Sequence, residues 1–115
     1  MSWNKYHAKK QVIDGITFDS QAEATRYCEL VMMEKAHEIK DLEVHPRYEL
    51  VPKFTKAGKK HRGITYEADF RYVRCKDNVE IIEDVKGVRT AVYKLKKELF
   101  EWLFPTKELT EVRIR

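Results

Sequence analysis

Residues 64–86 read ITYEADFRYVRCKDNVEIIEDVK, and this stretch decides the fold. Residues 64–74 and 79–86 are rich in β-branched and aromatic side chains, and Cys75-Lys76-Asp77-Asn78 between them is turn-prone. The spacing predicts two antiparallel strands. A two-residue turn at Lys76-Asp77 sets Asp69 directly opposite Asp84, and a turn at Asp77-Asn78 sets Asp69 opposite Lys86 instead. Both registers put Asp69, Asp84 and Lys86 on one face, because strand side chains repeat every two residues. A three-residue turn without a bulge would break that alignment. Glu83 points to the other face, and Glu67 lies two residues further along the strand.

Working outward, residues 42–50 alternate Leu42, Val44, Pro46, Tyr48 and Leu50 with Glu43, His45, Arg47 and Glu49. This predicts a half-buried strand, which Pro46 places at a sheet edge because proline cannot donate to a ladder. Upstream, QVIDGITF predicts a short hairpin around Asp14-Gly15. Ser20-Gln21-Ala22-Glu23 is a capping-box pattern opening a helix to about His37, with Ala24, Tyr27, Cys28, Leu30 and Val31 as its apolar stripe. Downstream, Gly87 breaks the strand. Thr90 caps a second helix with Val92, Leu95, Leu99, Trp102 and Leu103 on one face, ended by Pro105. Residues 109–115 form a last strand. Apart from the hairpin, the order is α-β-β-β-α-β: an antiparallel meander, then a right-handed helical crossover to a parallel strand. The expected fold class is α/β with a mixed sheet and flanking helices.

The 115 residues, 43% hydrophobic and 37% charged, fit one domain spanning residues 1–115. No apolar run approaches a membrane span, and the N-terminus lacks a signal-type stretch. Cys28 and Cys75 have no metal-type spacing and form no disulfide framework, which points to a reducing cytoplasm. Charge is segregated within the net +4. Residues 53–63 carry about +5 with no acid, as do residues 86–97, and residues 64–85 between them come to about −3. Basic blocks suit a phosphate backbone, although a solvated loop and helix face would read the same way.

Two carboxylates opposed at ~5 Å repel unless a cation sits between them. Oxygen ligands favour Mg²⁺ or Mn²⁺, and none of His7, His37, His45 or His61 has zinc-type spacing. Lys86, two residues beyond Asp84, adds a positive charge. Two acids, a metal and a lysine are what phosphodiester hydrolysis needs. An ordinary ladder of charges, with Asp84 paired to Lys86 or Arg71, would account for the same residues. Against it, Asp84 ends a strand already rich in Val79, Ile81 and Ile82, where an idle acid is costly. Glu23 can close the capping box. With Tyr27 and Leu30 at i+4 and i+7 it also lies on the flank that meets the sheet, where it could be a third ligand.

This pattern resembles the PD-(D/E)xK nuclease superfamily and its restriction-endonuclease-like αβββαβ core. Asp69 matches the first acid, Asp84-Val85-Lys86 the (D/E)-x-K triplet, and Glu23 the acid that many members carry on the first helix. Ala68 stands where the superfamily has proline. More closely, the chain is similar to a group of small phage and prophage proteins sharing F-D-S-Q-A-E-A-x-R-Y, Y-E-A-D-F-x-Y, E-D-V-K-G and T-x-x-Y-x-x-K over roughly residues 15–104. The resemblance implies a Mg²⁺-dependent DNA endonuclease, phage-encoded and working in the bacterial host cytoplasm on replicating or recombining DNA. Glu23, Asp69, Asp84 and the Val85 carbonyl would hold Mg²⁺ or Mn²⁺, and Lys86 would position water or stabilise the transition state. It also places Thr90, Tyr93, Lys94 and Lys97 on the second helix facing phosphate, unless Tyr93 packs on the sheet and the lysines only solubilise the helix. Lys59, Lys60 and Arg62, in a basic loop given freedom by Gly58 and Gly63, would reach along the duplex.

A domain this small covers little DNA, so a homodimer is expected. One rival is a Holliday-junction resolvase, and another is a non-catalytic DNA-binding accessory protein. Clustered carboxylates that repel phosphate weigh against the latter.

Overall fold

A computed structural model describes residues 10–86 and 89–113, with Lys86 described through its backbone alone. The N-terminal residues, Gly87 and the end of the tail lie outside the described residues. Strands β1 (Gln11–Ile13) and β2 (Ile16–Phe18) pair antiparallel. Asp14 and Gly15 join them at φ 53° and 76°, the doubly left-handed turn that matches the twist of a hairpin. Helix α1 (Gln21–Lys35) follows. The Ser20 hydroxyl accepts from the Glu23 N–H at 3.2 Å, while the Glu23 carboxylate reaches back to the N–H of Asp19, not of Ser20. Ala24, Tyr27 and Leu30 are buried. Cys28, read as part of the apolar stripe, is exposed; one residue past Tyr27 turns it off a narrow buried face.

The two longest expected strands are each broken. Residues 42–50 divide into β3 (Ile39–Val44) and β4 (Arg47–Val51), with His45 at φ 56° and Pro46 between them. Pro46 is buried at this break, and the strands on either side of it lie at sheet edges as expected, β3 outermost in the central sheet and β4 in a two-stranded ribbon. Residues 64–74 divide into β7 (Ile64–Glu67) and β8 (Phe70–Arg74) at Ala68-Asp69. The expected basic loop is itself a hairpin, β5 (Phe54–Lys56) and β6 (Lys59–His61). Strand β9 (Val79–Lys86) pairs antiparallel with β8, Phe70 facing Glu83 and Arg74 facing Val79. This is the register of the Lys76-Asp77 reading, reached through a connection of four residues.

The central sheet has the order β10-β9-β8-β3, and β10 (Glu108–Arg113) runs parallel to β9. Strands β4 and β7 form a separate two-stranded ribbon. Two cores flank the sheet. Strand β9 sends Ile81 and Val85 toward α1 with Phe18, Leu30 and Phe70. It sends Ile82 the other way, toward Leu50, Tyr66, Tyr93 and Phe100. The described residues thus form a mixed α/β fold with a mixed sheet and two helices. Helix α2 (Ala91–Leu103) is capped by Thr90, whose hydroxyl accepts from the Tyr93 N–H. Its buried residues are Tyr93 and Phe100. Of the expected inward face, Leu99 packs against this core, but Val92, Leu95, Trp102 and Leu103 are turned out, 64%, 58%, 80% and 36% exposed. The stripe Tyr93–Phe100–Phe104 has equally good helical spacing, and its larger rings filled the space over β4 and β7. Among the described residues no helix is long and apolar enough to cross a membrane.

Candidate metal centre

The two strand breaks lie against each other. The His45 N–H donates to the Asp69 carbonyl at 2.9 Å, and the Ala68 N–H to the Pro46 carbonyl at 3.0 Å. Asp69 thereby leaves the β8–β9 ladder. Its N–H donates to the Glu83 carbonyl at 3.1 Å, and its carboxylate accepts from the Val85 N–H at 2.6 Å. A non-glycine residue at positive φ directly before a proline is disfavoured on two counts, about 1–3 kcal/mol for the first alone. The surrounding bonds hold His45 there, with its ring 5.9 Å from that of Phe18. From α1, Glu23 completes a group in which ligand atoms of Glu23, His45 and Asp69 all lie within 4.8 Å of one another.

Burial and negative neighbours dominate the electrostatics. The Asp69 carboxyl is pushed up to about 8, chiefly by burial, with the charges of Asp84 and Glu23 adding to it and the Val85 N–H opposing it. Burial also raises Glu23; the Asp19 N–H and His45 work against it, and Asp19 and Asp84 with it. Asp84 is buried and accepts a hydrogen bond from the Tyr66 hydroxyl. Burial and that carboxylate push the Tyr66 phenol well above its usual range. Glu83 faces the other way, as expected. Arg26 of α1 donates to both of its oxygens at 2.8 and 2.7 Å, and the Tyr72 hydroxyl donates to it as well.

The sequence-derived acids therefore meet, with two corrections. Asp69 does not sit opposite Asp84 in a ladder, because the chain bends before the pair can form; it reaches across to the Val85 backbone. The donor set also contains a nitrogen. His45 escaped a search for histidine spacing because its neighbours come from α1 and from the second break, far away in the chain. The only local hint was a His-Pro step inside an alternating strand. Val85 supplies its N–H to Asp69, which anchors its backbone at the edge of the centre. Lys86 ends β9, and its side chain lies outside the described residues.

On α2 the Tyr93 ring is buried in the core, and its hydroxyl donates to Glu111 at 2.8 Å. That matches the packing role weighed for it, and its one polar atom is engaged by the carboxylate. Lys97 lies 3.8 Å from Glu111 and 3.9 Å from Glu101, while Lys94 and Thr90 are exposed. Lys59, Lys60 and Arg62 are exposed on and beside β6.

A family described as "Protein of unknown function (DUF1064)" matches residues 3–114. No curated protein and no solved structure matches the chain.

Proposed function

We propose that this chain, which belongs to the DUF1064 family, is a divalent-metal-dependent endonuclease hydrolysing DNA phosphodiesters, built on a restriction-endonuclease-like core of the PD-(D/E)xK kind. The order of α1, β3, β8, β9, α2 and β10 supports this reading. The observation that carries it is the convergence of Glu23, His45 and Asp69, whose ligand atoms lie within 4.8 Å of one another. Half-buried Asp69 is pushed up to about 8 by desolvation and by the charges of Asp84 and Glu23. Such crowding is unfavourable in the protein alone and is relieved when a cation replaces the proton. The donor chemistry fits a divalent ion: Glu23 and Asp69 offer oxygens, His45 a nitrogen, and Asp84 adds negative charge from beside them. The carboxylates suit Mg²⁺ or Mn²⁺, and the imidazole tilts the set toward Mn²⁺. When bound, the ion would supply water activation and charge neutralisation at the scissile phosphate.

The chain's own groups do the positioning. The Val85 N–H fixes Asp69, the Tyr66 hydroxyl fixes Asp84, and Ser20 holds the turn from which Glu23 projects. Lys86, two residues past Asp84, would carry the ammonium that steadies the nucleophile or a non-bridging oxygen. Exposed Lys59, Lys60, Arg62, Lys94 and Thr90 would hold backbone phosphates. We place the protein in phage or prophage DNA processing in the host cytoplasm, as a homodimer in which each copy cuts one strand.

Nicking of supercoiled, linear and four-way-junction DNA with Mg²⁺, Mn²⁺ or EDTA tests this. Asp84→Ala and Lys86→Ala should each reduce metal-dependent cutting at least ~100-fold with the fold retained by circular dichroism. Wild-type cutting by either variant refutes the site. Exclusive cutting of junctions would favour a resolvase, and binding without cutting an accessory protein.

A further inference from the structure

We propose that the ribbon running outward from β4–β7 through β5–β6 is an arm that binds single-stranded nucleic acid, with the Phe54–His61 ring pair as a stacking platform for a base. The two ladders are one interrupted hairpin. Val51 faces Ile64 and Phe54 faces His61, so the residues between them oppose one another with no slip in register. From Arg47 to the tip such a ribbon spans roughly 30 Å. The tip is the doubly left-handed turn Ala57-Gly58, at φ 52° and 76°, so the arm is a regular hairpin and not an adaptable loop. Its neck is close-packed: Gly63 stands at φ 79°, and a Cβ there would lie 2.3 Å from the Val51 carbonyl oxygen. Only glycine fits, which ties the arm to the ribbon below it.

The surface of the arm has no use in a core. Residues 53–63 carry five cations and no acid. Among them Phe54 is 43% exposed, its ring stacked on His61 at 4.3 Å and 4° between planes. A solvent-facing aromatic ladder inside a cationic strip matches a polyanion whose bases offer π-faces. Unpaired bases present those faces, whereas in a duplex they are already stacked on one another. The root of the arm is also placed for such a strand. Arg47 follows His45 by two residues and Glu67 precedes Asp69 by two, so both legs rise from the strand breaks that form the candidate metal centre. The inference goes beyond the nuclease reading and holds whether or not the centre takes a cation.

The test uses the full chain in EDTA, with fluorescence anisotropy on labelled oligothymidylate, oligouridylate and a duplex of about 20 nucleotides. Phe54→Ala should weaken single-strand binding about tenfold, with duplex binding and the thermal melt unchanged. Phe54→Trp should restore the affinity, and its added fluorescence should fall as strand is titrated. Lys59→Ala with Lys60→Ala should lower the salt slope on single strands by about 1.4. Undiminished single-strand binding by Phe54→Ala, or an equal loss on duplex, overturns the proposal. Binding of ribose strands alone would support the arm and count against DNA as the nuclease substrate. Nicking by wild type and by Asp84→Ala is read separately, so the two ideas can fail independently.

Discussion

His45 is held in a left-handed backbone conformation directly before a proline, with its ring beside two carboxylates. If its nitrogen is a donor, His45→Gln should weaken Mn²⁺ about tenfold while changing Mg²⁺ little, since imidazole suits the softer ion. Calorimetry with the two metals measures this, and pulsed EPR of the Mn²⁺ protein should lose its nitrogen coupling in the variant. Equal losses for both ions would show that the imidazole is not a ligand. Asp69 makes a second residue-scale prediction. Desolvation pushes its carboxyl up to about 8 in the folded chain, against an ordinary value of 3.8. Between those values the folded state keeps a proton that the unfolded state has released, so metal-free stability falls as pH rises through the window. Urea unfolding in EDTA should give a free energy lower at pH 8.5 than at pH 5 by up to about 4 kcal/mol. Asp69→Asn should flatten most of that slope, and saturating Mn²⁺ should reverse it. A metal-free profile that rises with pH would contradict the burial of this group as a neutral acid.

At the scale of elements, α1 is fastened to the sheet by a charge pair as well as by its apolar face. Glu83 is 1% exposed, and its partners Arg26 and Tyr72 come from α1 and β8. Removing one partner strands a buried carboxylate, so Arg26→Leu should cost about 3–5 kcal/mol of unfolding free energy in urea. Combined with Glu83→Leu, much of that loss should return, because two apolar groups replace a pair that is costly to desolvate. An additive double variant would mean that the two side chains do not act as a pair. Helix α2 shows the limit of periodicity. Val92, Leu95 and Trp102 follow helical spacing, and so do Tyr93, Phe100 and Phe104. The second set is buried or half-buried because β4 and β7 offer Tyr48 and Tyr66 as ring partners, Phe100 meeting them at 5.0 and 5.6 Å. Nothing in the thirteen residues of the helix itself ranks one stripe over the other.

For the whole molecule, the charge blocks visible along the chain acquire different meanings in space. The block at 53–63 projects on the arm. The block beginning at residue 86 is partly answered by acid, since Glu111 lies 3.2 Å from Arg89 and 3.8 Å from Lys97. Lys94 therefore has more to offer phosphate than Lys97. Lys94→Ala should lower the salt slope of duplex binding by about 0.9, and Lys97→Ala by clearly less. Titrations of binding against salt concentration check this, and equal changes would show that Glu111 does not compete for Lys97. The same spatial view explains how the centre forms from remote pieces. α1, the His45-Pro46 step and the Ala68-Asp69 step converge only because β3 and β8 are neighbours in the sheet and both chains leave it at the same level.

The amino-acid order alone determined the features governed by near neighbours. These are the Asp14-Gly15 turn, the Ser20 and Thr90 caps, the alternation along residues 42–50, the antiparallel pairing of the two strands around residues 75–78 (though not the choice between its two registers) and the opposite facing of Glu83 and Asp84. Each follows from backbone sterics or from the two-residue and 3.6-residue periods, which act over a few positions. Tertiary structure decided where the long strands break, which face of α2 turns inward, that the basic segment is an arm, and that His45 joins Glu23 and Asp69. Those outcomes depend on which distant surfaces close over each other. A local pattern carries no term for that competition, because the free energy of burying a stripe is set by the partner it meets.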